Sequence, residues 1–91
     1  MAERLVGAPR ALTPLRDAQV LGAEVRRARK QLRLTQQGLA EIAGVGTRFV
    51  SELERGKDTV RLGLALHLAR LVGLDICVVF PTDDLLDGAL W

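Results

Sequence analysis

The stretch Leu34-Thr-Gln-Gln-Gly-Leu-Ala-Glu-Ile-Ala-Gly-Val-Gly-Thr-Arg-Phe-Val-Ser-Glu-Leu-Glu-Arg-Gly-Lys57 decides the fold. Thr35 suits an N-cap, because its hydroxyl accepts a bond from an amide that the first helical turn leaves orphaned. A helix over about 36–43 then turns Leu39, Ala40 and Ala43 inward. Gly44 stops it by taking the left-handed conformation that a C-cap requires. Thr47 caps a second helix over about 48–55, which buries Val50 and Leu53 and ends at Gly56. Val45 adds an apolar contact from the turn, and Ala40 is small where the second helix crosses closely. A generic helical hairpin requires neither Ala nor Gly at positions 40 and 44.

Upstream, Asp17 is an N-cap for a helix over about 18–32, with Leu21, Val25, Ala28 and Leu32 recurring at helical spacing. Downstream, Leu64, Leu68, Leu71 and Val72 mark a helix over about 64–72 that ends at Gly73. Residues 1–16 hold Pro9 and Pro14 and no sustained period, so they read as an arm, disordered or only locally docked. Ile76-Cys77-Val78-Val79-Phe80 is apolar throughout, mostly β-branched, and closed by Pro81, which reads as one strand. One strand cannot satisfy its own backbone. The simplest solution pairs it with the same strand of a second copy, making a two-fold dimer; the alternative is an irregular tail on the last helix. The expected layout is an arm (1–16), a helical domain (17–74), a dimerisation strand (75–80) and an acidic tail (81–91).

Ninety-one residues allow one small domain. Three aromatic side chains and no Tyr leave the core to Leu, Val, Ala and Ile, which favours stacked helices. One Cys (Cys77) and one His (His67) exclude a disulfide framework and a Cys/His zinc cage within one chain. No window approaches the roughly 18 apolar residues of a membrane span, so a cytoplasmic, metal-free protein without cofactor is expected. The chain has no Ser/His/Asp or Cys/His arrangement and no phosphate loop, so no enzyme is expected. His67 reads as a structural histidine, Cys77 as a small buried hydrophobe, and Glu52 and Glu54 as carboxylates of a helix surface.

Charge is unevenly placed. Residues 1–80 carry 13 basic and 8 acidic groups, whereas Asp83, Asp84 and Asp87 make the tail acidic. A basic body suits a polyanion. The cluster Arg26, Arg27, Arg29, Lys30 and Arg33 fits that reading, and equally fits a solvated face that suits the negative end of its helix.

Two short helices joined by a tight glycine turn, the second ending in Glu-Arg-Gly, form the pattern of a DNA-reading helix-turn-helix. Residues 18–74 resemble the Xre/Cro/lambda-repressor type, which implies a mainly α bundle of about five short helices. More narrowly, Leu21-Gly-Ala-Glu-Val-Arg26, Leu53-Glu-Arg-Gly-Lys57 and Leu71-Val-Gly-Leu-Asp-Ile76 running into a strand are similar to HipB-type antitoxins. That resemblance implies dimerisation through the strand, repression of the chain's own operon, and binding of a HipA-type serine/threonine kinase toxin. A stand-alone Xre-type regulator, or a restriction-system controller, would share the DNA residues and need no toxin. A protein-interaction module that binds no DNA is disfavoured by the basic cluster and Arg48. Three glycines depart from the family pattern: Gly38 removes half of a capping box, Gly46 replaces a polar cap and leaves Thr47 to serve, and Gly63 opens the last helix.

In the helix-turn-helix geometry Thr47, Arg48, Phe49 and Ser51 face the major groove of a palindromic operator, with Glu52 at the margin. Arg48 has the fork to bond guanine O6 and N7 together. Phe49 has two readings, a contact to a thymine methyl or a core aromatic beside Val50. Gln36, Gln37 and Lys57 suit phosphate. The tail ends at Leu90 and Trp91, the only Trp. The antitoxin resemblance makes these two residues toxin contacts; the alternative folds Trp91 back on its own dimer.

Overall fold

Four α-helices follow one another in the computed structural model, which describes residues 12–80: α1 (Ala18–Gln31), α2 (Gln36–Ala43), α3 (Thr47–Glu54) and α4 (Leu62–Leu71). The arm as far as residue 11 and the tail with Leu90 and Trp91 lie outside the described residues. Asp17 caps α1 as its sequence predicts, its Oδ1 accepting from the Val20 amide at 2.9 Å. Thr35 caps α2 in the same way, accepting from the Gly38 amide at 2.9 Å.

All four helices close with the same pair of backbone bonds. After α2, Gly44 (φ 74°) donates to Glu41 and Val45 to Ala40; after α3, Gly56 donates to Leu53 and Lys57 to Glu52; after α4, Gly73 donates to Arg70 and Leu74 to Ala69. These are Schellman closures, which satisfy carbonyls that the helix end would otherwise strand. After α1 the left-handed position belongs to Arg33 (φ 61°), which has a Cβ and carries the strain glycine avoids. This early turn corrects the expectation that Leu32 is core. Leu32 is the C-cap of α1, the chain swings away, and its side chain stays 52% exposed.

The core is Leu21, Val25 and Ala28 of α1, Leu39 and Ala40 of α2, Val50 and Leu53 of α3, Ala65, Leu68 and Ala69 of α4, and Val72. Ala43 and Val45 pack against its edge. α3 packs on both α1 and α2, and α4 packs on α2. The α1–α3 crossing is close at Gly22, where a Cβ would lie 2.2 Å from the carbonyl oxygen of Leu53. Glycine is required there by contact with backbone, which cannot rotate away.

Four further expectations are corrected. No fifth helix is present among the described residues. Ile76, Cys77, Val78, Val79 and Phe80 form no strand, because no other described segment offers them a ladder. Cys77 is exposed rather than buried, and Val78 and Phe80 are 81% and 86% exposed. Finally, Thr47 does not cap α3: it is the first helical residue, Gly46 is the N-cap, and no side chain bonds to this helix start.

Candidate nucleic-acid interface

What fixes α3 is a buried ionic knot. Arg29 of α1 donates through Nε to Glu54 Oε2 at 2.6 Å and through Nη2 to Glu54 Oε1 at 2.9 Å. Its Nη1 donates to the Leu34 carbonyl at 2.7 Å, and Gln36 Nε2 donates to Glu54 Oε1 at 3.1 Å. One guanidinium and one carboxylate thus tie α1, the α1–α2 loop, the start of α2 and the end of α3. The two side chains are 8% and 2% exposed. Hydrogen bonding to Glu54 holds Arg29 above its ordinary pKa against the opposing effect of burial. A paired, fully bonded buried charge is tolerable where an isolated one is not.

Neither partner was expected inside, Glu54 having been assigned to a helix surface and Arg29 to a basic cluster. The register carries a signal: Arg29 lies four residues after Val25, and Glu54 four after Val50, so each sits on an inward stripe. Opposite charges on facing inward stripes mark a buried pair.

α3 sends its first turn outward. Thr47 and Arg48 are exposed, Ser51 and Glu52 are half-buried, and Val50 and Leu53 go into the core. The Arg48 side chain is 89% exposed. Phe49 is half-buried and packs against the core, so at least part of its ring follows the second of its two readings. Gln37 is exposed, whereas Gln36 spends one amide hydrogen on Glu54. Lys57 is exposed just beyond the end of α3. The structure therefore places Thr47, Arg48, Ser51, Gln37 and Lys57 where solvent reaches them, and turns Phe49 and Gln36 partly inward.

Glu52 joins two of these cations. Its Oε2 accepts from Arg48 Nε at 3.1 Å and its Oε1 from Lys57 Nζ at 3.2 Å. The bond from Arg48, then that from Lys57, holds the Glu52 carboxyl below the usual glutamate pKa. Of the α1 cluster, Arg27 is bonded to Glu24, and Arg26, Arg27 and Lys30 line a surface hollow with Ala23, Gln31 and Glu54. Among the described residues no group of three or more His, Cys, Asp or Glu is placed to hold a metal ion, and no helix is long and apolar enough to cross a membrane.

An exposed helix start, presented by a second short helix across a glycine turn, agrees with the relatives of this sequence. The family described as "Helix-turn-helix domain" matches residues 20–79. A protein of Sinorhizobium fredii, named as an uncharacterized HTH-type transcriptional regulator y4mF, is 43% identical over 63 residues, covering 69% of this chain and 83% of the relative. One of Methanothermobacter thermautotrophicus, also named as an uncharacterized HTH-type transcriptional regulator, is 41% identical over 66 residues, or 71% of this chain and 93% of the relative. Both alignments are long enough to take in a whole helix-turn-helix unit together with its supporting helices. The chain belongs to the Xre-type helix-turn-helix domain family.

Proposed function

We propose that this chain is a sequence-specific DNA-binding regulator of transcription that works as a homodimer. The observation that carries the reading is the exposed Arg48 at the start of α3, on a scaffold held by the Arg29–Glu54 pair. A mobile arginine on a mobile helix would bind any polyanion. One on a fixed helix can be aimed at a particular base edge. The names of the two relatives support the same reading.

Dimerisation rests on Ile76, Val78, Val79 and Phe80, all exposed, in a segment with strand composition and no strand partner among the described residues. A symmetric pair would present two copies of α3 to successive turns of a palindromic operator.

Within that function, we assign the chain to the antitoxin side of a toxin–antitoxin pair, neutralising a HipA-like kinase and repressing its own operon. This assignment rests on the three HipB-like segments and the acidic tail. Leu90 and Trp91 are its toxin contacts. A stand-alone regulator fits α1 to α4 equally well. The experiment is co-expression with the neighbouring open reading frame, followed by purification and a gel shift on the upstream DNA. An antitoxin purifies with a kinase-like partner and still shifts the DNA, and removal of residues 88–91 releases the partner alone. A stand-alone regulator shifts the DNA and purifies by itself.

A further inference from the structure

Glu52 is oddly placed for a residue on a DNA-facing helix. It lies in the last turn of α3, where the helix dipole disfavours a carboxylate. It follows Arg48 by four positions, the less favourable order for an ion pair along a helix. It would also stand beside phosphates that repel it. Helix stability and general DNA affinity are both better served by a neutral residue.

The geometry points to a positioning role: we propose that Glu52 aims the Arg48 guanidinium for base recognition. The contact is made through Nε at 3.1 Å, and among the described residues no other bond engages the guanidinium. Both terminal nitrogens, Nη1 and Nη2, are therefore left for a second acceptor. A guanidinium is planar, so anchoring Nε fixes the plane of the whole group. Guanine O6 and N7 need two parallel donors in one plane. The other oxygen of Glu52 is anchored by Lys57 Nζ at 3.2 Å, which keeps the carboxylate itself from rotating. Lys57 is in turn fixed by the backbone closure of α3, in which its amide donates to the Glu52 carbonyl at 3.0 Å. Lys57, Glu52 and Arg48 form a short relay that ends in an oriented fork.

This inference rests on the DNA-reading function proposed above, and its test separates the two. The wild-type chain first selects duplexes from a random 20-base-pair pool, and the enriched duplex and its single-base-pair variants then serve as probes in fluorescence anisotropy. Arg48→Ala should lose discrimination at one base pair of each half-site, roughly 5-fold or more. Glu52→Ala should lose discrimination at that same base pair, while its affinity for unselected duplex rises because a negative charge is gone. Glu52→Gln, which keeps an acceptor for Nε, should retain more discrimination than Glu52→Ala and guards against misfolding of the alanine variant. In an Arg48→Ala background, Glu52→Ala should change discrimination no further. The positioning role is overturned if Glu52→Ala and Glu52→Gln tighten every duplex alike with discrimination intact, or if Glu52→Ala still alters discrimination without Arg48. Failure of the pool to enrich, or an Arg48→Ala variant that discriminates like the wild type, overturns the DNA-reading assignment itself and this inference with it.

Discussion

Arg29 and Glu54 meet side-on, two donors of one guanidinium on two oxygens of one carboxylate, although 25 residues separate them in the chain. The pair lies beneath the helix whose first turn carries Arg48. It ties the last residue of α3 to α1 and, through Leu34 and Gln36, to the start of α2.

Removing one partner strands the other in a dry site, so Arg29→Met or Glu54→Leu alone should cost about 3–5 kcal/mol. The double variant Arg29→Met/Glu54→Leu should recover much of that loss, because an apolar pair of similar volume replaces both charges. Urea unfolding of the four proteins, arranged as a double-mutant cycle, measures the coupling. Operator affinity should not recover with stability, since the Leu34 and Gln36 ties are gone as well.

The α2–turn–α3 unit was legible in the sequence because local chemistry dictates it. Thr35 has a hydroxyl to cap with, Gly44 takes a positive φ, and the inward positions are apolar on both helices, Leu39 and Ala40 on α2 and Val50 and Leu53 on α3. Two kinds of feature were not. One is a partnership between elements: Arg29 and Glu54 look like surface charges until α1 and α3 are laid together. The other depends on the exact residue at which a helix ends, as at Leu32, which the Arg33 turn expels, or at Thr47, which lies one position too late to cap. The segment Ile76–Phe80 shows a third limit. Its composition specifies a strand, but a strand also needs a neighbour, and none is found among the described residues.

Two glycines should respond oppositely to the same substitution. Gly22→Ala puts a methyl 2.2 Å from the Leu53 carbonyl oxygen, so α1 and α3 must separate. It should destabilise by about 1–3 kcal/mol or more. Gly63 in the first turn of α4 has nothing within 4 Å of a built Cβ and no positive φ. Gly63→Ala should therefore stabilise, by up to about 1 kcal/mol, through better helix propensity and a less flexible unfolded chain. Thermal melts of the two variants beside the parent check both signs.

Glu52 gives a pH expectation. Its folded-state pKa is depressed, first by the bond from Arg48 and then by that from Lys57. A depressed carboxylate contributes its stabilisation above its unfolded pKa and loses it as pH falls through the folded value. The Arg48–Glu52–Lys57 contacts should thus persist through neutral and mildly acidic pH and break only below the ordinary glutamate range. Carboxyl-carbon NMR should find the Glu52 midpoint below that of a free glutamate and moving upward in Arg48→Ala. An unmoved midpoint in that variant would show that Arg48 does not hold the carboxylate.

Lys57 and Gln37 are expected to hold the DNA backbone, which carries no sequence information. Lys57→Ala should weaken every duplex and lower the slope of log affinity against log salt by about 1, and should also lose part of the discrimination at the Arg48 base pair, because Glu52 loses its second anchor. Gln37→Ala should weaken binding with little change in either slope or stability, because its side chain is exposed and uncharged. Gln36→Ala differs, since its amide also serves Glu54, and should lower the urea midpoint as well as affinity. Titrations at several salt concentrations separate these three.

The exposed apolar run at 76–80 bears on whether two recognition helices act together. Val78 and Phe80 stand almost wholly in solvent in the single chain. Covering such a run by an identical strand would bond its backbone and bury its side chains in one step, which a tail packed on α4 does not achieve. Val78→Asp places a charge in the centre of that contact and repeats it by symmetry, so the dimer should dissociate while α1 to α4 remain folded. Sedimentation velocity should show the mass halving, and circular dichroism should show helix content unchanged. Operator affinity should fall steeply, because each half-site is then bound by its own molecule with no linked second contact. A Val78→Asp variant that sediments like the parent would place the two-fold contact elsewhere on the surface.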